Sequence, residues 1–438
     1  MKKILSALLA VSMLCSLSAQ NTPAARPYVR FTAVPTHHDA IYELGEVAAL
    51  KVVAQAGGKG LDNVKIEFIA GNDRMPADTS GTAVFCNGEA LLSFGSMQQP
   101  GYRWCTLKFL VEGQSFKEDV KVAFSPEQIQ PTIANPSDFD AFWAKTLKRA
   151  SKVPMEVEII PLPEKSNEQV KISMVKIQAY EKGNYIYGYL QEPNDGEKHP
   201  VLLHPPGAGV KRINPTPWFA KEGFITLTIG INGIPMDATN EEIKAKQQAI
   251  KAIHPGDYPY IGLESKEDYY YRKVYAGLVR CVDFLMSLPN FDGENVGVTG
   301  GSQGGALSIV AAALDPRIDF LASFYPALCD LSGFAYGNRA GGWPRFLAPG
   351  NKYELPVSVD QMFETLSYYD VVNFARRIKV PGFYSFGYND NTCPPTSMSA
   401  AINQVTAPKI IELTPSSAHW RYDETNVRAN AWMRSQCK

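Results

Sequence analysis

Between Val29 and Phe124 apolar and polar residues alternate over short runs: Val29 to Val34, Val47 to Ala54, Val64 to Ala70, Thr82 to Phe85, Glu89 to Phe94, Tyr102 to Val111 and Ser115 to Phe124. A period of two is the mark of strands with one buried face. The breaks hold turn formers, Gly57-Gly58, Gly71-Asn72-Asp73 and Gln98-Gln99-Pro100-Gly101. Seven short strands at this spacing predict an immunoglobulin-like β-sandwich over residues 20–125. A proline-punctuated linker follows at 126–136, and then the period changes. Phe139, Phe142, Trp143, Leu147 and Ala150 recur at helical spacing, behind Ser137 and Asp140 in a capping-box pattern.

Residues 137–438 read as a second, larger unit. Val170 to Tyr180 and Tyr185 to Gln191 alternate like antiparallel edge strands. Pro200 to Leu203, Phe224 to Ile229, Val296 to Thr299, Phe320 to Phe324, Gly382 to Phe386 and Ile410 to Leu413 read as buried strands. Helical stretches near Glu241 to Ala252, Tyr269 to Leu288 and after Ser302 separate them. Strands and helices in alternation predict an α/β fold, a mostly parallel sheet flanked by helices. Ligands in such folds gather at the carboxyl ends of the strands.

The start of the chain changes the setting. Lys2 and Lys3, the apolar run Ile4 to Leu14 and the small-residue site Leu17-Ser18-Ala19 predict an export signal over residues 1–19, too short to span a bilayer. The expected location is periplasmic or extracellular, with no transmembrane segment. A length of 438 residues favours at least two cores, and a net charge of -1 with both signs interspersed lacks the basic footprint of a nucleic-acid binder. Of seven cysteines, the six beyond Cys15 are widely spaced, which excludes a zinc finger and a disulfide scaffold. A bridge between Cys86 and Cys105, near adjacent strand-like runs, stays open. The His37-His38 pair reads as a loop and not a metal site, because neighbours on a strand face opposite ways. No metal or other cofactor is called for.

The chemistry centres on Gly300-Gly301-Ser302-Gln303-Gly304, a G-x-S-x-G turn between a strand and a helix. Such a turn exposes its serine as a nucleophile, and its glycines make room where strand and helix backbones approach. A serine hydroxyl needs a base, almost always histidine. Among six histidines, His419 follows the last strand and fits the order Ser, acid, His. Asp390, directly after the strand Gly382 to Phe386, is the expected acid, with Asp370 as its rival before that strand. The oxyanion hole is expected from the Gln303 N–H and from Gly207 or Ala208 in His204-Pro205-Pro206-Gly207-Ala208-Gly209, since prolines cannot donate. Tyr269, Tyr270 and Trp420 are the candidate aromatic stacking surfaces for a bound substrate.

Four stretches carry a family resemblance: Asp268-Tyr269-Tyr270-Tyr271-Arg272; Gly300 to Gly305 with Asp315-Pro316-Arg317; Tyr369-Asp370-Val371-Val372-Asn373-Phe374-Ala375; and Gly387-Tyr388-Asn389-Asp390 with Cys393-Pro394-Pro395-Thr396 and Ala400-Ala401-Ile402-Asn403. From about Phe139 onward the chain resembles the acetyl xylan esterase and cephalosporin C deacetylase family of α/β-hydrolases. The resemblance implies Ser302 as nucleophile, Asp390 as acid and His419 as base. It also implies a serine esterase acting on O-acetylated xylan or xylooligosaccharides, with other short acyl esters such as cephalosporin C in range, and a homo-oligomeric assembly. Two departures stand out. Gly230-Ile231-Asn232-Gly233 replaces the family's Arg-Gly-Gln-Gly, removing an arginine expected to brace the site's loops, and Trp420 replaces a glutamate after the histidine. Competing readings are a peptidase or feruloyl-type esterase on the same fold, since the fold fixes acyl transfer but not the acyl group, and a non-catalytic glycan-binding protein.

Overall fold

The computed structural model describes residues 28–438, so the expected export signal lies outside the described residues. The first part of the chain forms two sheets. Its strands are β1 (Val29–Pro35), β2 (Ile41–Tyr42), β3 (Ala49–Ala56), β4 (Lys59–Gly60), β5 (Lys65–Asn72), β6 (Thr79–Val84), β7 (Glu89–Ser93), β8 (Gly101–Val111) and β9 (Gln114–Phe124). One sheet runs β1-β3-β4 with β7 also on β3; the other runs β2-β9-β8-β5-β6. Burial alternates residue by residue along β7 and over Lys65 to Ala70 of β5, as the sequence pattern requires. The inward faces share one core, where the rings of Phe31 (β1) and Phe85 each meet Phe109 (β8) at 5.2 Å. A fully buried side chain of this kind, such as Phe85, contributes roughly 1.5–3 kcal/mol.

Three local expectations differ. The two-residue strands β2 and β4 carry no pattern long enough to read. The helix Phe139–Ala150 begins after Asp138, not Ser137, because the Phe139 N–H turns back to the Pro136 carbonyl. The Asp138 carboxylate caps nothing and instead takes Lys266 Nζ at 3.0 Å. Cys86 and Cys105 are both free: Cys105 points into the core of β8, whereas Cys86 lies exposed on a turn.

The second part is built on β10 (Glu158–Pro161), β11 (Val170–Gln178), β12 (Tyr185–Pro193), β13 (His199–His204), β14 (Ile225–Gly230), β15 (Phe291–Gly301), β16 (Phe320–Phe324), β17 (Gly382–Gly387) and β18 (Lys409–Thr414). They form one nine-stranded sheet in the order β10-β11-β12-β14-β13-β15-β16-β17-β18. Pairing is antiparallel from β10 to β14 and parallel from there on. The chain leaves β13 to one side for β14 and returns on the other side as β15, so the order reverses at β13. A crevice opens at the carboxyl ends of strands where this happens. The helix Gln303–Leu314 is buried almost all round, which suits its apolar sequence and its central place against β15 and β16.

The two parts are joined through polar side chains as well as apolar ones. Tyr102 of β8 bonds to Ser399 Oγ at 2.9 Å. Lys121 of β9 pairs with Asp73 at 2.7 Å, and Asp73 accepts from Thr396 Oγ1 at 2.9 Å. No helix among the described residues is long and apolar enough to cross a membrane.

Candidate active site

Ser302 stands between the end of β15 and the start of the helix Gln303–Leu314, with φ 59 and ψ -123. A non-glycine residue held there costs on the order of 1–3 kcal/mol and persists only when its surroundings fix it. They do: the Ser302 N–H donates to the Phe324 carbonyl at 2.9 Å, and the Ser302 carbonyl accepts from Ala327 at 3.0 Å and Ala306 at 3.1 Å. The glycines have the steric role their spacing suggests. A Cβ on Gly300 would stand 2.6 Å from the Gly304 backbone, and one on Gly304 would stand 2.4 Å from the Pro205 carbonyl oxygen.

The structure brings Ser302, His419 and Asp390 together across 117 and 29 residues of sequence. His419 Nε2 lies 3.0 Å from Ser302 Oγ, and its Nδ1 lies 2.7 Å from Asp390 Oδ2. A carboxylate opposite Nδ1 assigns the proton to that nitrogen and leaves Nε2 to accept from the serine. Asp390 is fully buried, and its other oxygen accepts from the Thr392 and Cys393 N–H groups at 2.8 and 2.9 Å. Tyr325 backs the imidazole with ring centroids 4.7 Å apart. The neighbouring Cys393 thiol is pushed far up, first by burial and then by the Asp390 charge, so it stays protonated.

Asp370 is not part of this relay. Its carboxylate accepts from the N–H groups of Asp330 at 3.0 Å, Leu331 at 2.7 Å and Val372 at 2.9 Å. Burial, followed by the nearby Asp330 charge, pushes it up to about 8. It anchors two chain segments behind the site.

Gln303 makes two kinds of contribution to the geometry around Ser302. Its N–H is one of the unpaired donors at a helix N-terminus, next to Ser302. Its side chain is fully enclosed: Oε1 accepts from Tyr258 and Tyr271 hydroxyls, each at 2.7 Å, and Nε2 donates to the Pro206 carbonyl at 3.3 Å. Burial holds both phenols protonated, as that pattern needs. The Gly209 N–H is spent on Tyr258 Oη at 3.1 Å, which leaves Gly207 and Ala208 as the loop's free donors among the described residues. Asn232 braces the same loop, donating from Nδ2 to the Gly209 carbonyl at 2.9 Å and accepting from Tyr270 Oη at 2.7 Å. Asn232 thereby ties this loop to the buried Tyr270.

The aromatic expectations divide. Tyr269 is only 2 % exposed and donates to the Pro259 carbonyl at 3.1 Å, and Tyr270 is 8 % exposed on Asn232, so neither offers a sugar a surface. Both are drawn inward where the chain enters the buried helix Tyr271–Met286. Trp420 is 45 % exposed beside His419 and packs edge-on against Tyr422. His37 is engaged with Glu46 Oε1 at 3.0 Å and with the Ile41 carbonyl, as a turn residue. The contacts of Tyr258 and Lys121, and of Tyr271 within its family stretch, are not legible in the sequence, because nothing local marks a tyrosine or lysine that acts through a contact with a remote segment.

A family model described as acetyl xylan esterase (AXE1) matches residues 127–435. The chain belongs to this family. Acetyl esterase Axe7A of Xylanibacter ruminicola is 40 % identical over 443 residues, covering 100 % of this chain and 98 % of that protein, so the likeness includes the N-terminal sheets. Among solved structures, the acetyl xylan esterase from Paenibacillus sp. R4 aligns with a TM-score of 0.59 at 24 % identity, over 71 % of this chain and 98 % of its own. Acetyl xylan esterase 1 from Thermoanaerobacterium sp. JW/SL YS485 aligns with a TM-score of 0.57 at 21 % identity, over 72 % and 98 %. At those identities the structures speak for the α/β-hydrolase fold alone. With the family established, the protein is a carboxylic ester hydrolase.

Proposed function

We propose that this family member removes acetyl groups from O-acetylated xylan fragments and similar short acyl esters, cephalosporin C included, after export from the cell. The observation that carries the reading is the hydrogen-bonded relay from Asp390 through His419 to Ser302, in a chain matched to acetyl xylan esterases. The leader-like residues at 1–19 support export, and the family resemblance supports assembly into a homo-oligomer.

Ser302 Oγ attacks the acetyl carbonyl carbon as its proton passes to His419 Nε2. The carbonyl oxygen becomes an oxyanion facing the N–H groups of Gln303 and of Gly207 or Ala208. His419 then protonates the departing sugar oxygen, leaving an acetyl ester on Ser302. Water gives a proton to His419 and attacks that ester, and acetate leaves as the proton returns to Ser302. Asp390 holds the imidazole in the required tautomer and stabilises its charged form.

The test is acetate release from 4-nitrophenyl acetate and from acetylated xylan, by wild type and by Ser302→Ala. A loss of kcat on the order of 10⁴-fold or more is expected in the variant. Equal rates for the two proteins would overturn the reading, and faster turnover of a feruloyl ester than of an acetyl ester would overturn its acetyl part.

A further inference from the structure

A cavity of about 490 Å³ opens where the N-terminal sheets meet the catalytic part, beside the oxyanion loop. Ala208 and Gly209 form one wall, Arg345 another, and Arg74, from the turn after β5, reaches in from the N-terminal part. Trp343 and Tyr353 add partly open aromatic surface. The position is that of a site for groups flanking the scissile ester, because the same loop carries the oxyanion donors.

Its electrostatics are unusual. The two guanidiniums are close enough that Arg345 is held below its ordinary value, first by burial and then by the Arg74 charge. Arg74 Nε is buried with no hydrogen-bond partner, and Arg345 spends one nitrogen on the Asn391 carbonyl. Asp257, the carboxylate in the lining, accepts from the Tyr258 N–H at 2.7 Å through Oδ1 and makes no hydrogen bond to either guanidinium. A like-charged, partly desolvated pair with donors to spare is costly unless something anionic completes it.

The backbone points the same way. Arg74 has φ 58 and Arg345 has φ 62, a left-handed conformation that L residues other than asparagine, aspartate and histidine rarely adopt. Two arginines strained in this way and converging on one cavity suggest that placement of the side chains outweighs the strain. Each is anchored: Arg74 follows Asp73, whose carboxylate is fixed by Lys121 and Thr396, and the Arg345 N–H and carbonyl are bonded to Gly342 at 2.8 Å and Asn351 at 3.2 Å.

We infer that this cavity is a subsite for a carboxylate-bearing sugar, a uronic acid unit of the acetylated glycan, gripped between Arg74 and Arg345 with its ring against Trp343 or Tyr353. Planar guanidinium and carboxylate match in a paired geometry that a neutral hydroxyl cannot reproduce. The enzyme therefore favours acetyl groups close to an acidic branch. This rests on the deacetylase reading above.

The experiment compares acetylated xylooligosaccharides with and without a uronic acid substituent, using wild type and Arg74→Gln, with 4-nitrophenyl acetate as a control. Wild type is expected to favour the acidic substrate in kcat/KM by about tenfold at low salt, a preference shrinking in 0.5 M sodium chloride. Arg74→Gln is expected to lose that preference and keep its rates on the neutral oligosaccharide and 4-nitrophenyl acetate. Equal wild-type kcat/KM on the two oligosaccharides, or an equal loss on both in the variant, overturns the inference. A second arm measures binding of the unacetylated oligosaccharides to Ser302→Ala by calorimetry, which needs no turnover. Tighter binding of the acidic one that disappears on adding Arg74→Gln upholds the subsite even if no sugar ester is cleaved, in which case only the deacetylase reading falls. Equal binding of both overturns the subsite.

Discussion

The ammonium of Lys121 donates to the backbone carbonyl of Asp390 at 3.1 Å, so a residue of the N-terminal sheets holds the segment that carries the carboxylate opposite His419. The same nitrogen donates to Asp73 at 2.7 Å and to Asn391 Oδ1 at 3.0 Å, which uses all three of its protons. Lys121 is 4 % exposed and Asp73 1 %. The N-terminal part is thereby tied to the catalytic loop by a buried charge pair, not merely appended to it.

Removing half of such a pair leaves a buried charge uncompensated, at about 3–5 kcal/mol. Lys121→Met is expected to lower the melting temperature and to cut kcat on 4-nitrophenyl acetate by about tenfold or more with little change in KM, because the Asp390 loop relaxes. Adding Asp73→Leu removes the orphaned carboxylate and should restore much of the stability but not kcat. If kcat returns together with the melting temperature, the clamp serves folding only.

Two aspartates competed for one role, and their environments predict opposite outcomes. Asp390→Asn takes away the carboxylate opposite His419 Nδ1, so kcat should fall by about 10⁴-fold, as for the same change in triad proteases, with the fold intact. Asp370→Ala removes the acceptor of three backbone N–H groups and should cost on the order of 3 kcal/mol while kcat stays within the same decade. Paired melting curves and steady-state rates separate the two. A large kcat loss in Asp370→Ala with only a small one in Asp390→Asn would reverse the assignment.

What was legible in the sequence was local or scarce. The Ser302 turn is legible because its steric demands fall on residues two positions away, at Gly300 and Gly304. His419 stands out because few histidines compete, and Asp390 because it comes shortly after the short, largely apolar strand run Gly382 to Phe386. The burial of Tyr269 and Tyr270 was not legible, since a tyrosine's pattern is the same whether its hydroxyl meets solvent or, as for Tyr270, Asn232 Oδ1. Nor was β10, whose four residues are all exposed and so show no alternation. Lys121 looks like any outward lysine on a strand, and only packing against a segment 269 residues away gives it a role.

His204, at the end of β13, supplies a pH dependence of stability. Burial, and behind it the charge of Arg421, push its imidazole down to about 4, and its Nδ1 lies 3.3 Å from Thr228 Oγ1. Phe219 covers its ring, while Arg421 and Asp423 are the charged groups lining the same hollow. In the unfolded chain an imidazole titrates near 6.5. The folded value is the lower one, so between about pH 4 and 6.5 the unfolded state binds more protons. The contribution is therefore complete above about pH 6.5 and is lost as pH falls towards 4. Two and a half pH units correspond to at most about 3 kcal/mol. His204→Gln keeps a polar partner for Thr228 but cannot titrate, so its melting temperature should fall less steeply than that of wild type between pH 6.5 and 4. Parallel curves for the two proteins would mean that His204 carries no share of the acid sensitivity.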